Sequence, residues 1–165
     1  MVGPAAAPTR NPFASFPMPS EFVHRRLVEF AETDMAGIVH FAHFFRWMES
    51  AEHAFLRSLG FSVHHHAPEG TSGWPRVKVE CSYHSPLRFE QEVEVVLRVA
   101  EVRNRSVRYA FEIRPAGGQP AATGTVAAVY ARVDAQSGGL CAAPIPEELR
   151  ELLKQWEKGE AQGQG

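Results

Sequence analysis

Thr33-Asp34-Met35-Ala36-Gly37-Ile38-Val39-His40-Phe41-Ala42-His43-Phe44-Phe45-Arg46-Trp47-Met48-Glu49 is the stretch on which the fold turns. It begins with a carboxylate and a run of small residues and then opens an apolar pattern. Phe41, Phe44, Phe45, Met48, Phe55 and Leu59 recur at helical spacing, while Arg46, Glu49, His53 and Arg57 point elsewhere. The spacing predicts one amphipathic helix that stops at Gly60, since glycine takes the left-handed conformation that closes a helix at little steric cost. Apolar residues occupy most of its circumference, so deep burial is expected.

Outward from this helix the periodicity changes from helical to alternating. Phe22 to Phe30, rich in Phe, Val and Leu, suits a first strand before the turn. His64 to Gly73, broken by Pro68, Gly70 and Gly73, reads as a loop. Val77, Val79, Cys81 and Tyr83 then alternate, as do Val93, Val95, Leu97 and Val99, and Val107, Tyr109, Phe111 and Ile113. A hairpin turn at Pro115-Ala116-Gly117-Gly118 leads to a last strand over Thr125 to Val133. Pro146 suits the first turn of a helix whose stripe is Leu149, Leu152, Leu153 and Trp156. The predicted order is one strand, one long helix, four strands and a short helix, an α+β arrangement with a mostly antiparallel sheet around the helix. Residues 1–20 read as a mobile arm, 21–157 as one domain and 158–165 as a flexible tail. Such a sheet leaves an outer face and edges to be covered, so self-association to a dimer or tetramer is expected.

The chain has 165 residues, enough for one domain with a real core. Lys plus Arg number 17 against 19 Asp plus Glu, which leaves no basic excess for a run of phosphates; a nucleic-acid partner is not expected. The N-terminal segment lacks the apolar core of a secretory signal, and no apolar stretch reaches the length of a membrane span. With two cysteines, Cys81 and Cys141, outside any close-spaced metal pattern, a reducing, cytoplasmic setting is the simpler expectation.

The chemistry concentrates at the start of the first helix. Unpaired backbone N–H groups and the positive end of the helix dipole gather there, suited to an oxygen that gains negative charge during reaction. Gly37 lets a ligand approach the backbone closely. Asp34 has two readings, a side chain that bonds its own turn or a reactive carboxylate beside an oxyanion donor.

The whole stretch from Thr33 to Glu49 resembles the signature of the 4-hydroxybenzoyl-CoA thioesterase family of hotdog proteins, which includes the Tol-Pal-associated acyl-CoA thioesterases. The resemblance rests on the aspartate, the Ala-Gly-Ile-Val turn, the aromatic at Phe41, the aromatic pair in the helix, and Arg46-Trp47 followed by an acid. Ser85-Pro86-Leu87-Arg88 to Glu92 looks like a later turn of that family. The resemblance implies hydrolysis of an acyl-CoA, with Asp34 as catalytic carboxylate and the Phe41 backbone N–H holding the thioester oxygen. Asp34 would either attack the thioester carbon or activate a water. Two positions depart from relatives: His43 stands where many members have Asn, and Phe41 follows His40 where the Tol-Pal branch has His at the helix start.

His40 is a candidate for proton transfer to the leaving thiolate, or a residue that bonds the turn. Arg103, Arg105 and Ser106 lie where relatives place residues that meet the phosphates of CoA, and Arg suits phosphate. His64-His65-His66 reads as plain loop, because three adjacent side chains there cannot all face one metal ion. No metal or cofactor is called for. Cys81 reads as a structural thiol, and Trp47 and Trp74 as packing residues or acyl-pocket walls. Two rival functions remain. A hotdog hydratase or dehydratase would set His five residues after Asp in an Asp-x-Asn-Pro-x-His run, whereas His40 is six away and Asn-Pro is missing; a non-catalytic acyl-CoA binder would keep the fold alone.

Overall fold

The computed structural model describes residues 20–67, 70–134 and 138–159. Nearly all of the expected arm, the tail beyond Gly159 and Pro68 of the expected loop lie outside these. In chain order the elements are β1 (Phe22–Leu27), α1 (Ala42–Ser58), β2 (His65–Ala67), β3 (Gly70–Gly73), β4 (Arg76–Tyr83), β5 (Glu92–Val102), β6 (Ser106–Pro115), β7 (Ala122–Val129), β8 (Ala131–Val133), β9 (Leu140–Ala142) and α2 (Glu147–Lys158). A five-stranded sheet runs β1-β5-β6-β7-β4 and a smaller one β2-β3-β8-β9, every pairing antiparallel.

The alternating runs of β5 and β6 bury what their pattern promised, whereas that of β4 leaves Val77, Val79 and Tyr83 exposed. Val93, Val95, Leu97 and Val99 of β5 and Val107, Tyr109, Phe111 and Ile113 of β6 all join the core. Into this face α1 packs Phe44, Trp47, Met48, Ala51, Phe55 and Leu56. The helix is buried on one face rather than all round, with Arg46, Glu49 and Arg57 exposed. Met48 reaches the sheet at Gly124 of β7, where an added Cβ would lie 2.4 Å from Met48 Cε and 2.7 Å from the Glu80 carbonyl. Leu149, Leu153 and Trp156 of α2 close the core, and Trp156 meets Phe55 edge-on at 4.9 Å.

α1 ends where the glycine predicted. Gly60 takes φ +85, its N–H bonds the Arg57 carbonyl at 3.0 Å, and the Phe61 N–H bonds the Leu56 carbonyl at 2.9 Å, so the last helical carbonyls are satisfied by the backbone.

Three expectations need correction. The first strand stops at Leu27, because Phe30–Glu32 form a 3-10 turn that leaves Phe30 75% exposed. The segment expected as loop carries β2 and β3, with His65 and His66 in β2; β3 pairs with β8, so its order comes from a distant segment. The last strand divides at Tyr130: β7 stays in the large sheet, while β8 crosses to the small one and pairs there with β9, which was not foreseen.

The outer face of the large sheet carries an ionic ladder. Glu94 bonds Arg25 and Arg114, each at 3.1 Å, Arg114 also bonds Glu112 at 2.9 Å, and Arg98 pairs with Glu21. This covers Val96, which is fully buried although it points away from α1. Exposed apolar surface lies instead on the edge strand β4, where Val77 is 64% and Val79 40% exposed. Among the described residues no helix is long and apolar enough to cross a membrane.

Candidate active site at the start of the first helix

Between β1 and α1 the chain folds back on itself. Thr33 and Val39 form an antiparallel bridge, the Asp34 N–H donates to the Ile38 carbonyl at 2.9 Å, and the Gly37 N–H donates to the Asp34 carbonyl at 2.9 Å. Gly37 sits at φ +69, a conformation that side chains disfavour. Asp34 is exposed; its Oδ1 accepts the Ala36 N–H at 2.8 Å, and Oδ2 has no partner among the described residues. One carboxylate oxygen therefore bonds the turn while the other stays available.

Three neighbours hold this loop in place. The Val39 N–H donates to the Leu87 carbonyl at 2.8 Å, the His40 N–H to the Glu32 carbonyl at 2.9 Å, and Arg88 Nη1 to the Gly37 carbonyl at 3.4 Å. Beneath it the nearly buried Glu32 carboxylate accepts from the Glu29 N–H at 2.9 Å, Trp47 Nε1 at 2.7 Å and Arg26 Nη2 at 2.5 Å. Burial alone would raise the Glu32 pKa, but those donors outweigh it and hold the group below its usual range. Arg26 also stacks 4.6 Å over the Trp47 ring. Glu32, Arg26 and Trp47 thus tie β1, the turn and α1 together.

At the helix start Phe41 already has helical angles, and its N–H has no acceptor among the described residues. Its ring is 60% exposed, and its carbonyl accepts from the Tyr83 hydroxyl of β4 at 3.2 Å. The ring of His40 lies 4.5 Å from that of Phe41, and His40 Nδ1 accepts the Ala42 N–H at 3.3 Å, a long bond that caps the helix. His43 donates its N–H to the His40 carbonyl.

The structure does not bring the arginines to Asp34. Leu27 stands opposite Glu92 in the β1–β5 register, so the Asp34 loop lies at the start of β5, whereas Arg103 to Ser106 follow its far end. Along the 11 residues of β5 that separation is about 33 Å. Arg103 is already engaged by Glu101 at 2.8 Å, which also pairs with Arg108 at 3.2 Å, while Arg105 is exposed and has no ion pair among the described residues. Ser106 stands opposite Val129 at the start of β6. Trp47 is packed in the core, and Trp74 lines a cavity at the other end of α1. Cys81 is half-buried, and burial pushes its thiol pKa up, away from nucleophile behaviour.

Sequence reasoning gave no site role to Glu32, Arg26 or Tyr83, because their contacts join separate elements: Arg26 of β1 and Trp47 of α1 meet Glu32, and Tyr83 of β4 meets Phe41. Arg88 was in a quoted turn without a role.

Residues 28–153, well over half of the chain, match the sequence model of the Thioesterase-like superfamily. The chain belongs to that superfamily. A protein of Aquifex aeolicus (strain VF5) that carries the provisional name of an esterase is 34% identical over 90 residues, spanning 54% of this chain and 70% of its own. A 1,4-dihydroxy-2-naphthoyl-CoA hydrolase of Prochlorococcus marinus (strain NATL2A) is 29% identical over 106 residues, 60% of this chain and 68% of that protein. Among solved structures, a gentisyl-coenzyme A thioesterase superposes with a TM-score of 0.66 at 28% identity, over 78% of this chain and 99% of that one. As a member of the Thioesterase-like superfamily with these structural neighbours, the chain has a hotdog thioesterase fold.

Proposed function

We propose that this member of the superfamily hydrolyses a CoA thioester, with Asp34 as the catalytic carboxylate and the Phe41 N–H as the oxyanion donor. The observation that carries this reading is that the helix-start turn leaves one Asp34 oxygen and the Phe41 N–H without partners among the described residues. The thioester carbonyl oxygen accepts the Phe41 N–H, where the helix dipole favours the charge that grows on it. Asp34 Oδ2 then either adds to the carbonyl carbon, giving a mixed anhydride that water later opens, or takes a proton from the water that adds. Both routes consume one water and release the acid and the CoA thiol. With His40 Nδ1 accepting from Ala42, a neutral ring carries its proton on Nε2; we assign that N–H to a hydrogen bond on the departing thiolate, while the proton the thiol keeps comes from the consumed water by way of Asp34.

Arg105, and Ser106 beside it, are assigned to the phosphates of CoA, and their place beyond the far end of β5 gives that assignment a structural condition. A turn at the far end of β5 serves an Asp34 site only if it comes from another copy of the chain. The edge strand β4 offers the means, with unpaired backbone groups and the exposed Val77 and Val79. Two β4 edges paired antiparallel about a two-fold axis set the Tyr83 end of one chain, which bonds Phe41, beside the Arg76 end of the other. Arg76 stands opposite Ala128, next to the Val129 that faces Ser106, so the arginine turn is only two strands away. We therefore assign the working unit to a dimer.

Thiol release measured across acetyl-, medium-chain, long-chain and aromatic CoA esters tests the reading. Free CoA produced in stoichiometric amounts with the acid is the expected result. Hydration of an enoyl-CoA without thiol release, or binding without turnover, would replace it with one of the two rivals.

A further inference from the structure

At the end of α1 remote from Asp34, a cavity of about 760 Å³ opens between the helix terminus, the small sheet and the start of α2. That is ample for a small ligand, since such pockets run from roughly 300 to 1,000 Å³. Its apolar wall is built from Trp74 and Tyr130, which pack edge to face at 5.1 Å, and from Leu149 of α2. All three residues are nearly buried.

Among the described residues the charged groups in this wall are cationic. Arg57 and Arg132 both line the cavity, and neither has an ion pair among the described residues. Arg57 is not needed to satisfy the end of α1, because Gly60 and Phe61 already bond its carbonyls. Ser72, a buried residue, adds a hydroxyl with no partner among the described residues. Among the described residues no Asp or Glu lines the space. Both arginines are exposed at its rim, where two guanidiniums beside an aromatic wall disfavour a cation and suit an anion, bidentate on arginine, whose flat body covers the rings.

We propose that this cavity is a second binding site, for a small anion with a flat apolar body. Two sources supply that chemistry: a free aromatic carboxylate, and the adenine nucleotide portion of a CoA ester. The site stands independently of the catalytic role given to Asp34.

Titration calorimetry on the full chain tests it, using naphthalene-2-carboxylate, its neutral carboxamide, and adenosine 3′,5′-bisphosphate as probes. Saturable binding of one of the two anions is expected, at least tenfold tighter than the carboxamide. It should weaken tenfold or more in the Arg57→Gln/Arg132→Gln double variant and stay unchanged in Asp34→Asn and in Arg105→Ala, which separates it from binding at the Asp34 site and at the Arg105 turn. Preference for the carboxylate identifies a free acid as the ligand, and preference for the bisphosphate the nucleotide. The proposal is overturned if neither anion binds, if the carboxamide binds as tightly, or if affinity survives loss of both arginines. The carboxylate–carboxamide comparison needs only the unmodified chain, so a misfolded double variant would not rescue a failed proposal.

Discussion

Glu52, on the buried face of α1, sets one carboxylate oxygen 2.7 Å from the guanidinium of Arg76 at the start of β4. Its side chain is 0% exposed, and its second oxygen has no hydrogen-bond partner among the described residues. Burial outweighs the attraction of Arg76 and pushes the Glu52 pKa up to about 7. A buried acid of this kind binds its proton more tightly folded than unfolded, so its contribution to stability is full below the unfolded value near 4.5 and is lost as pH rises to about 7. The expected outcome is that Glu52→Gln removes this decline. In urea melts at steps from pH 4.5 to 8, the stability difference between variant and parent should move in favour of Gln by a few kcal/mol, on the order set by 1.4 kcal/mol per pKa unit, and level off above pH 7. A pH-independent difference would show that Glu52 titrates normally.

Gly124 governs how closely α1 sits on the sheet. Replacing it with Ala puts a methyl against Met48 and the Glu80 carbonyl, and the carbonyl belongs to a paired strand that cannot yield cheaply. Overpacking of this kind costs roughly 1–3 kcal/mol. Thermal unfolding should show the loss, and the same change made in a Met48→Ala background should cost less, because the nearer obstacle is then gone.

Asp34→Asn keeps a carbonyl oxygen for the Ala36 N–H, so the turn and the melting temperature should survive. Turnover of a CoA ester should fall by roughly two to four orders of magnitude, the range associated with loss of a general base. Hydrolysis at the parental rate in a single-turnover assay would remove Asp34 from the mechanism.

Arg105→Ala should raise KM for CoA esters and leave KM for short thioesters without the nucleotide unchanged, with kcat little altered for both. An equal rise for both substrates would exclude phosphate contact.

Much of this architecture was legible in the residues. The Gly60 stop was readable because it rests on a local conformational preference, and the valine alternations of β5 and β6 because one face of each is packed. The hairpin of β2 and β3 was not, since three or four residues rich in His and Gly carry no periodicity and take their order from β8. The break at Tyr130 was hidden by a Val and Ala pattern that continues on both sides of it. Glu52 could have been found: it falls four residues after Met48 and three before Phe55, on the apolar face, where a carboxylate needs a partner. At the site, the Asp34 turn was legible from its chemistry, but the Glu32 support was not, because Arg26 and Trp47 lie on other elements.

The run of β5 from the aspartate loop to the arginine turn has a genetic reading as well. If each working centre borrows its acid from one polypeptide and its cation from another, then two crippled versions can cure each other. Asp34→Asn chains unfolded and refolded together with Arg105→Ala chains should cleave thioester at low substrate faster than the two variants kept apart do in sum, since half of the centres in every hybrid would be wholly wild-type and the others doubly impaired.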